Sequence, residues 1–299
     1  MLRFVFLLAL AADVHAATGA VDIDTAATVY QEAAIRQQVR ASLGAMPEQI
    51  RRLFEGDSAA KLNAEQLAAV TSAAKRGFRI DVFEAPALSV LAGNLDPVTV
   101  KKTEAFLAGD IGKRMVAADV AVASMDQADI DKVMNGEITV PTTPQRELIF
   151  DKLERASRST ESAVQIFLSM GTAVAVGTAV GSGGDPAPVA ERSHKAGEQS
   201  RATLEENMRQ PLRRYLAYGY RDLSDSDLKH VLAFLDSTAG RHYISAYIAS
   251  MDAGFDAMGR RCGEQLGESL RELAQAQLAT TQREDPTPPA IAQPTPKQH

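Results

Sequence analysis

The sequence predicts an all-α protein, a helical bundle built from two tandem, diverged repeats. Three observations carry that expectation. Aromatic residues make up only 5% of the chain and tryptophan is absent, while alanine abounds. Such a composition suits close-packed helices better than strands, which favour aromatic and β-branched side chains. Helix-start signals recur along the chain, and no stretch alternates apolar and polar residues between hairpin turns. A self-comparison then aligns one half with the other.

Length and charge bound the function classes. The chain of 299 residues, 45% hydrophobic and 23% charged, allows about two domains and a sizeable core. A net charge of −6 argues against a nucleic-acid partner or an anionic lipid surface. The single cysteine excludes an internal disulfide, a cysteine-rich zinc site and an iron–sulfur cluster held by one chain.

Taken from the N-terminus, residues 1–16 read as a secretory signal peptide. Arg3 supplies the positive segment and residues 4–12 the apolar run, and Val14, His15 and Ala16 form the cleavage site. The apolar run is too short to span a bilayer. No cysteine follows that would carry a lipid anchor. The expected mature chain starts at Ala17 and is periplasmic or secreted.

Residues 17–135 form the expected first repeat. Pro97 behind Asp96 marks a first helical position, as do Pro47 behind Met46 and Pro144 behind Thr143. Asn63 precedes an apolar helical pattern, and Ser224 with Asp227 three residues on is an N-cap signature. Gly136, Pro141 and Pro144 break the chain between the halves. Residues 144–281 are the second repeat. Leu228, Val231, Leu232 and Leu235 form one apolar stripe on a helix there.

Shifting the chain by 128 positions aligns residues 95–118 with 223–246, with seven identities in 24 ungapped positions. Phe106 falls on Phe234, Gly112 on Gly240, and Lys113 on Arg241. The unit reads as helix, tight corner, helix. In the second copy Ser237 is placed to cap the helix after the corner, and the first copy has Gly109 there.

Residues 163–181 carry no charge and are long enough for a membrane span, yet threonines, glycines and a glutamine weaken the run. A buried helix or helix pair is the expected reading, and a membrane-inserted adaptor the minor one. The glycine-rich run at 181–186 lacks nucleotide-loop spacing and reads as a linker. The last helix, expected over 238–278, carries an apolar stripe through Met251, Met258, Cys262 and Leu266. Gly259, Gly263 and Gly267 form a second ridge along it. Three glycines in register point to close approach by another helix, from the same chain or from a second copy. In a homodimer of that kind, Cys262 is a candidate for an intersubunit disulfide. Residues 282–299 are proline-rich and read as a disordered tail.

The segment from Tyr215 to Leu228, followed by Phe234, Ser237, Gly240 and Arg241, resembles a family of exported bacterial proteins known as domain of unknown function 2059. The resemblance rests on an acidic helix start followed by Phe-aromatic-x-Ser-x-x-Gly-basic. Leu235 stands where the family usually has an aromatic residue. The first copy keeps Phe106, Gly112 and Lys113 and is a degenerate match. The resemblance implies an exported helical domain and brings no catalytic residues with it.

Candidate chemistry is sparse. His230 and His242 lie on the two helices that meet at the Ser237 corner and are weak candidates for a metal or acid–base site. No catalytic motif with a nucleophile elbow, metalloprotease histidine pair or nucleotide loop occurs. No cofactor is predicted. The expected function is a non-catalytic protein of the cell envelope that binds a protein or other envelope component. The alternative is an envelope hydrolase or metal-binding protein at the His230/His242 corner.

Overall fold

The computed structural model describes residues 19–44, 46–48, 51 and 63–284. The expected signal peptide lies outside the described residues, as does the tail from residue 285. Every regular element among the described residues is a helix. In chain order these are α1 (Ile23–Glu32), α2 (Ile35–Leu43), α3 (Ala64–Gly77), α4 (Ile80–Asn94), α5 (Pro97–Leu107) and α6 (Asp110–Ala123). There follow α7 (Gln127–Asn135), α8 (Pro144–Ser157), α9 (Ser159–Gly181), α10 (Ala187–Gly219), α11 (Asp225–Leu235) and α12 (Thr238–Glu284).

Helices start where side chains accept the orphan N–H groups of the first turn. Asp96 accepts from the N–H groups of Val98 and Thr99 at 2.8 and 2.9 Å, just before Pro97. Thr143 does the same for Arg146, ahead of Pro144. Asn63 with Gln66, and Ser224 with Asp227, form reciprocal capping boxes. Ser237 accepts from the Gly240 N–H at 3.0 Å, whereas Gly109 offers no side-chain cap. The break between the halves falls at Gly136, whose φ of 81° ends α7 in the left-handed region.

The spine is α12, 47 residues long and so about 70 Å from end to end. Against it pack α3, α4, α5 and α9, while α10 runs beside α9 and α7. One apolar cluster includes Val29, Phe83 and Leu91 from the first half, and Phe150, Leu153, Leu228 and Met258 from the second. Both halves therefore contribute to a shared core. The stripe on α12 is buried at Met251, Met258, Cys262 and Leu266. The helix continues six residues past its expected end at 278, so Gln282, Arg283 and Glu284 are helical rather than part of the tail.

The ridge Gly259–Gly263–Gly267 meets α9 of the same chain. A Cβ on Gly263 would lie 2.2 Å from the Val174 carbonyl oxygen, and one on Gly267 2.3 Å from that of Thr178. The approach is mutual. A Cβ on Gly177 would stand 2.3 Å from the Arg260 carbonyl oxygen, and one on Gly181 2.1 Å from that of Glu264. Backbone thus touches backbone along both helices, which only glycine at these positions permits. The apolar segment is one helix rather than a pair, and it is covered mainly on its α12 and α10 sides. It is long and apolar enough to cross a membrane, with a mean hydropathy of 1.7, and only 22% of that window is buried. The expectation of a buried helix is met on those sides alone, since Phe167 and Val180 are each 47% exposed.

The repeat has a spatial counterpart. Phe106 and Phe234, equivalent under the 128-residue shift, stack with ring centroids 4.0 Å apart and planes within 3°. Arg114 grips Asp227 at 2.6 and 2.9 Å. His242, the counterpart of Arg114, reaches Asp96 at 2.8 Å and Thr99, the counterpart of Asp227, at 3.1 Å. Each copy's second helix therefore holds the first turn of the other copy's first helix, about a local two-fold through the stacked rings. Gly112 and Gly240 do the same work at both corners. A Cβ there would lie 2.1 Å from the Phe106 carbonyl oxygen in one copy and 1.9 Å from that of Phe234 in the other.

Candidate functional site

The residues singled out from the sequence have mostly architectural roles. Phe106, Phe234, Ser237, Gly112 and Gly240 build the corners and their contact. Arg241 binds the carbonyl of Asp236, which closes the corner from outside, and Lys113 is exposed. His230 and His242 have separate partners. His230 Nδ1 bonds to the Ser226 carbonyl of its own helix at 2.9 Å. Nδ1 of His242 faces both Asp96 and Thr99. A nucleophilic relay needs the acid on one ring nitrogen and the hydroxyl on the other, so this cluster reads as a helix cap gripped from across. Among the described residues no group of three or more His, Cys, Asp or Glu side chains could hold a metal ion.

Cys262 is 1% exposed, and a Cβ on Gly77 would sit 2.5 Å from its own Cβ. Burial pushes its thiol up to about 12. Cys262 thus sits on the apolar stripe as a small buried side chain, covered by α3, and its sulfur is not presented on the protein surface.

The site that sequence reasoning missed lies beside the local two-fold. A cavity of about 300 Å³ opens where α6, the end of α10 and the start of α12 converge. Its floor is Leu107, Phe234 and Leu235, the last turns of α5 and α11. Its walls carry Tyr215 and Tyr220 from α10, Tyr243 and Tyr247 from α12, and Asp119 with Met115 and Val116 from α6. Four of the six tyrosines in the chain thus face one space. The ring centroids of Tyr243 and Tyr247 are 6.2 Å apart, a distance set by their one-turn spacing on α12.

Asp119 dominates the electrostatics. Burial pushes its carboxyl up to about 7, and the neighbouring Tyr220 hydroxyl, which favours the charged form, only partly offsets this. The residue is half-buried, set between this cavity and a second space on its other side. Among the described residues no Lys, Arg or His lines the cavity. Burial and the nearby carboxylate hold the tyrosines neutral, with Tyr215 raised to about 12 and Tyr220 well above its ordinary range. A second cavity of about 210 Å³ shares Gln38, Asp119, Tyr215 and Tyr247, so these four form a partition between two spaces.

Backbone strain gathers at the rim. Ala34 and Arg158 are the two non-glycine residues with positive φ among the described residues, at 52° and 54°. Ala34 follows Ala33, and Arg158 lies between Ser157 and Ser159; all three of these neighbours line the cavity. Conformations of this kind cost of order 1 kcal/mol or more and collect at functional sites. A wider groove of about 900 Å³ beside α9 and α10 offers a contrast. Two of its ion pairs, Arg158–Glu161 and Arg201–Glu198, join residues three apart on one helix surface, as on a solvated ionic face.

Comparison with protein-family models, with curated proteins and with solved structures finds no match. The site is therefore read from its own chemistry.

Proposed function

We propose that this is an exported, non-catalytic helical protein of the cell envelope that takes a small, mainly apolar ligand in the tyrosine-lined cavity. The observation that carries the reading is the cavity itself. Apolar walls with a few convergent polar groups and one strongly perturbed carboxyl, in a volume at the small end of the about 300–1,000 Å³ ligand range, are the hallmarks of a small-molecule site. Neutral tyrosine hydroxyls orient such a ligand without demanding charge from it. The signal-peptide reading of residues 1–16 and the resemblance to an exported helical family support the envelope location.

The reading contains no reaction. Asp119 has no activated nucleophile or basic partner in the cavity wall, so the groups present favour binding over turnover. The deciding measurement is native mass spectrometry of protein recovered from the compartment to which its own leader sends it. The expected result is a chain beginning at Ala17 that carries a small-molecule adduct released by mild denaturation. A mass beginning at Met1, or a mature chain that never carries an adduct and binds no aromatic probe, refutes the proposal.

A further inference from the structure

We infer that the cavity is a cation site: its ligand is a small amphiphilic amine whose ammonium group pairs with Asp119 among the tyrosine rings. The inference rests on the cavity-binding proposal and names the class of its ligand.

A carboxylate enclosed by protein is tolerated when a cation, a metal or several N–H donors neutralise it. Among the described residues, the group beside Asp119 that favours its charged form is the neutral Tyr220 hydroxyl. The charged and titratable groups facing it from the packed elements are Tyr215 and Tyr220 on α10 and Tyr243 and Tyr247 on α12, all neutral, while α2 offers the uncharged Gln38. The ion pair that α6 does make, Arg114–Asp227, is complete in itself. Above about pH 7 a negative charge thus faces a largely apolar space with no cationic partner among the described residues.

A ligand that brings a positive charge removes this imbalance. Four tyrosine side chains line the same space, and an aromatic ring attracts an ammonium group placed over its face. An anionic ligand would meet Asp119 and the rings with the wrong sign. A purely apolar ligand would leave the carboxyl as unpaired as before. The apolar floor at Leu107, Phe234 and Leu235 and the small volume then select an amine with a compact hydrocarbon or aromatic body.

The test is titration calorimetry on the full mature protein with three probes of one shape: phenethylammonium, 2-phenylethanol and 3-phenylpropanoate. At pH 8 the ammonium is expected to bind at least tenfold more tightly than the alcohol, and the carboxylate most weakly. Its affinity is expected to fall about tenfold from pH 8 to pH 6 as Asp119 takes up a proton, since an alkylammonium near pKa 10 stays charged throughout. Asp119→Asn is expected to erase both the preference and the pH dependence. The wild-type pH profile needs no variant, so the test survives a variant that folds poorly. Equal binding of the ammonium and the alcohol overturns the cation inference and leaves the cavity-binding reading standing. Stronger binding of the carboxylate, or affinity that rises as the pH falls, overturns it as well. Failure of all three probes to bind defeats both readings together.

Discussion

The same helix builds two opposite kinds of contact. Along its middle, α12 meets α9 with Gly259, Gly263 and Gly267, and the backbones touch with no room for a single methyl group. Near its start, α12 presents Tyr243 and Tyr247 to α6 and α10 and leaves about 300 Å³ of space between them. The seam uses the smallest residues to exclude everything. The cavity uses large, stiff rings with polar edges to hold walls apart. Close packing of the first kind stabilises, while incomplete packing of the second kind, around a carboxyl without a counter-ion, leaves a place and a charge for something else.

The seam gives the largest predicted effect. Gly263→Ala places a methyl group 2.2 Å from the Val174 carbonyl oxygen, where neither backbone can yield without separating the helices. The expected loss is about 4 kcal/mol, because overpacking against rigid backbone lies at the severe end of single substitutions. In a chain of this size that corresponds to a melting temperature roughly 10 °C lower. A loss below about 1 kcal/mol in urea unfolding would show that the two helices can part, and that seam and cavity do not differ in this way.

The cavity gives the next effect, with a sign that depends on pH. The Asp119 carboxyl titrates near 7 in the folded protein and near its ordinary 3.8 when unfolded. The folded state therefore holds the proton more tightly. Stability from this group is fully present below about pH 4, is lost as the pH rises through 7, and stays lost above. After allowance for the carboxyl's share of cavity surface, the change is on the order of 3 kcal/mol. Asp119→Asn is expected to remove that slope, leaving stability near pH 4 unchanged and raising it at pH 8. Thermal melts of both proteins across this range decide it. A wild-type curve flat between pH 4 and 8 would mean that the carboxyl is already paired, which would end the cation inference too.

How much of this was legible in the sequence follows from the range of each interaction. The caps at Asn63, Asp96, Thr143 and Ser224 are local chemistry within four residues, and each was readable before any fold was known. The corner repeat was readable because two copies of one unit must keep the same glycine against the same carbonyl oxygen. The α12 half of the seam was visible as three glycines in register. Its other half, Gly177 and Gly181 one turn apart on α9, carried the same signal but lay inside a segment read for hydropathy alone. The cavity was not legible. Asp119 and Tyr247 lie far apart in the chain, and nothing local marks a carboxyl on α6 as lacking a counter-ion. The one available hint was Tyr243 and Tyr247 one turn apart beside Tyr215 and Tyr220, a concentration of tyrosine in a chain with 5% aromatics.

Between the two regions lies the contact of the stacked rings, where a smaller effect is expected. Phe234 forms the cavity floor and also stacks on Phe106 across the local two-fold. A double-mutant cycle of Phe106→Leu and Phe234→Leu is expected to give a coupling of about 1 kcal/mol, in the range measured for aromatic pairs. A coupling indistinguishable from zero would mean that the two copies meet without specific ring contact, and that the floor is held by its neighbours alone.

The smallest prediction isolates what makes the seam different from ordinary helix surface. Gly171 lies on α9, the helix that meets the ridge, but on a face where an added Cβ would find no atom within 4 Å. There glycine serves no packing purpose and only enlarges the conformational freedom of the unfolded chain. Gly171→Ala is therefore expected to stabilise the protein by about 0.5–1 kcal/mol, the propensity difference between the two residues in a helix. The same substitution thus has opposite signs at two positions in one helix pair, and the sign is set by whether a carbonyl oxygen stands 2.2 Å away or nothing does. If Gly171→Ala also destabilised, close approach at the ridge would no longer explain the cost at Gly263, and intolerance of this helix pair to any added side chain would have to be explained instead.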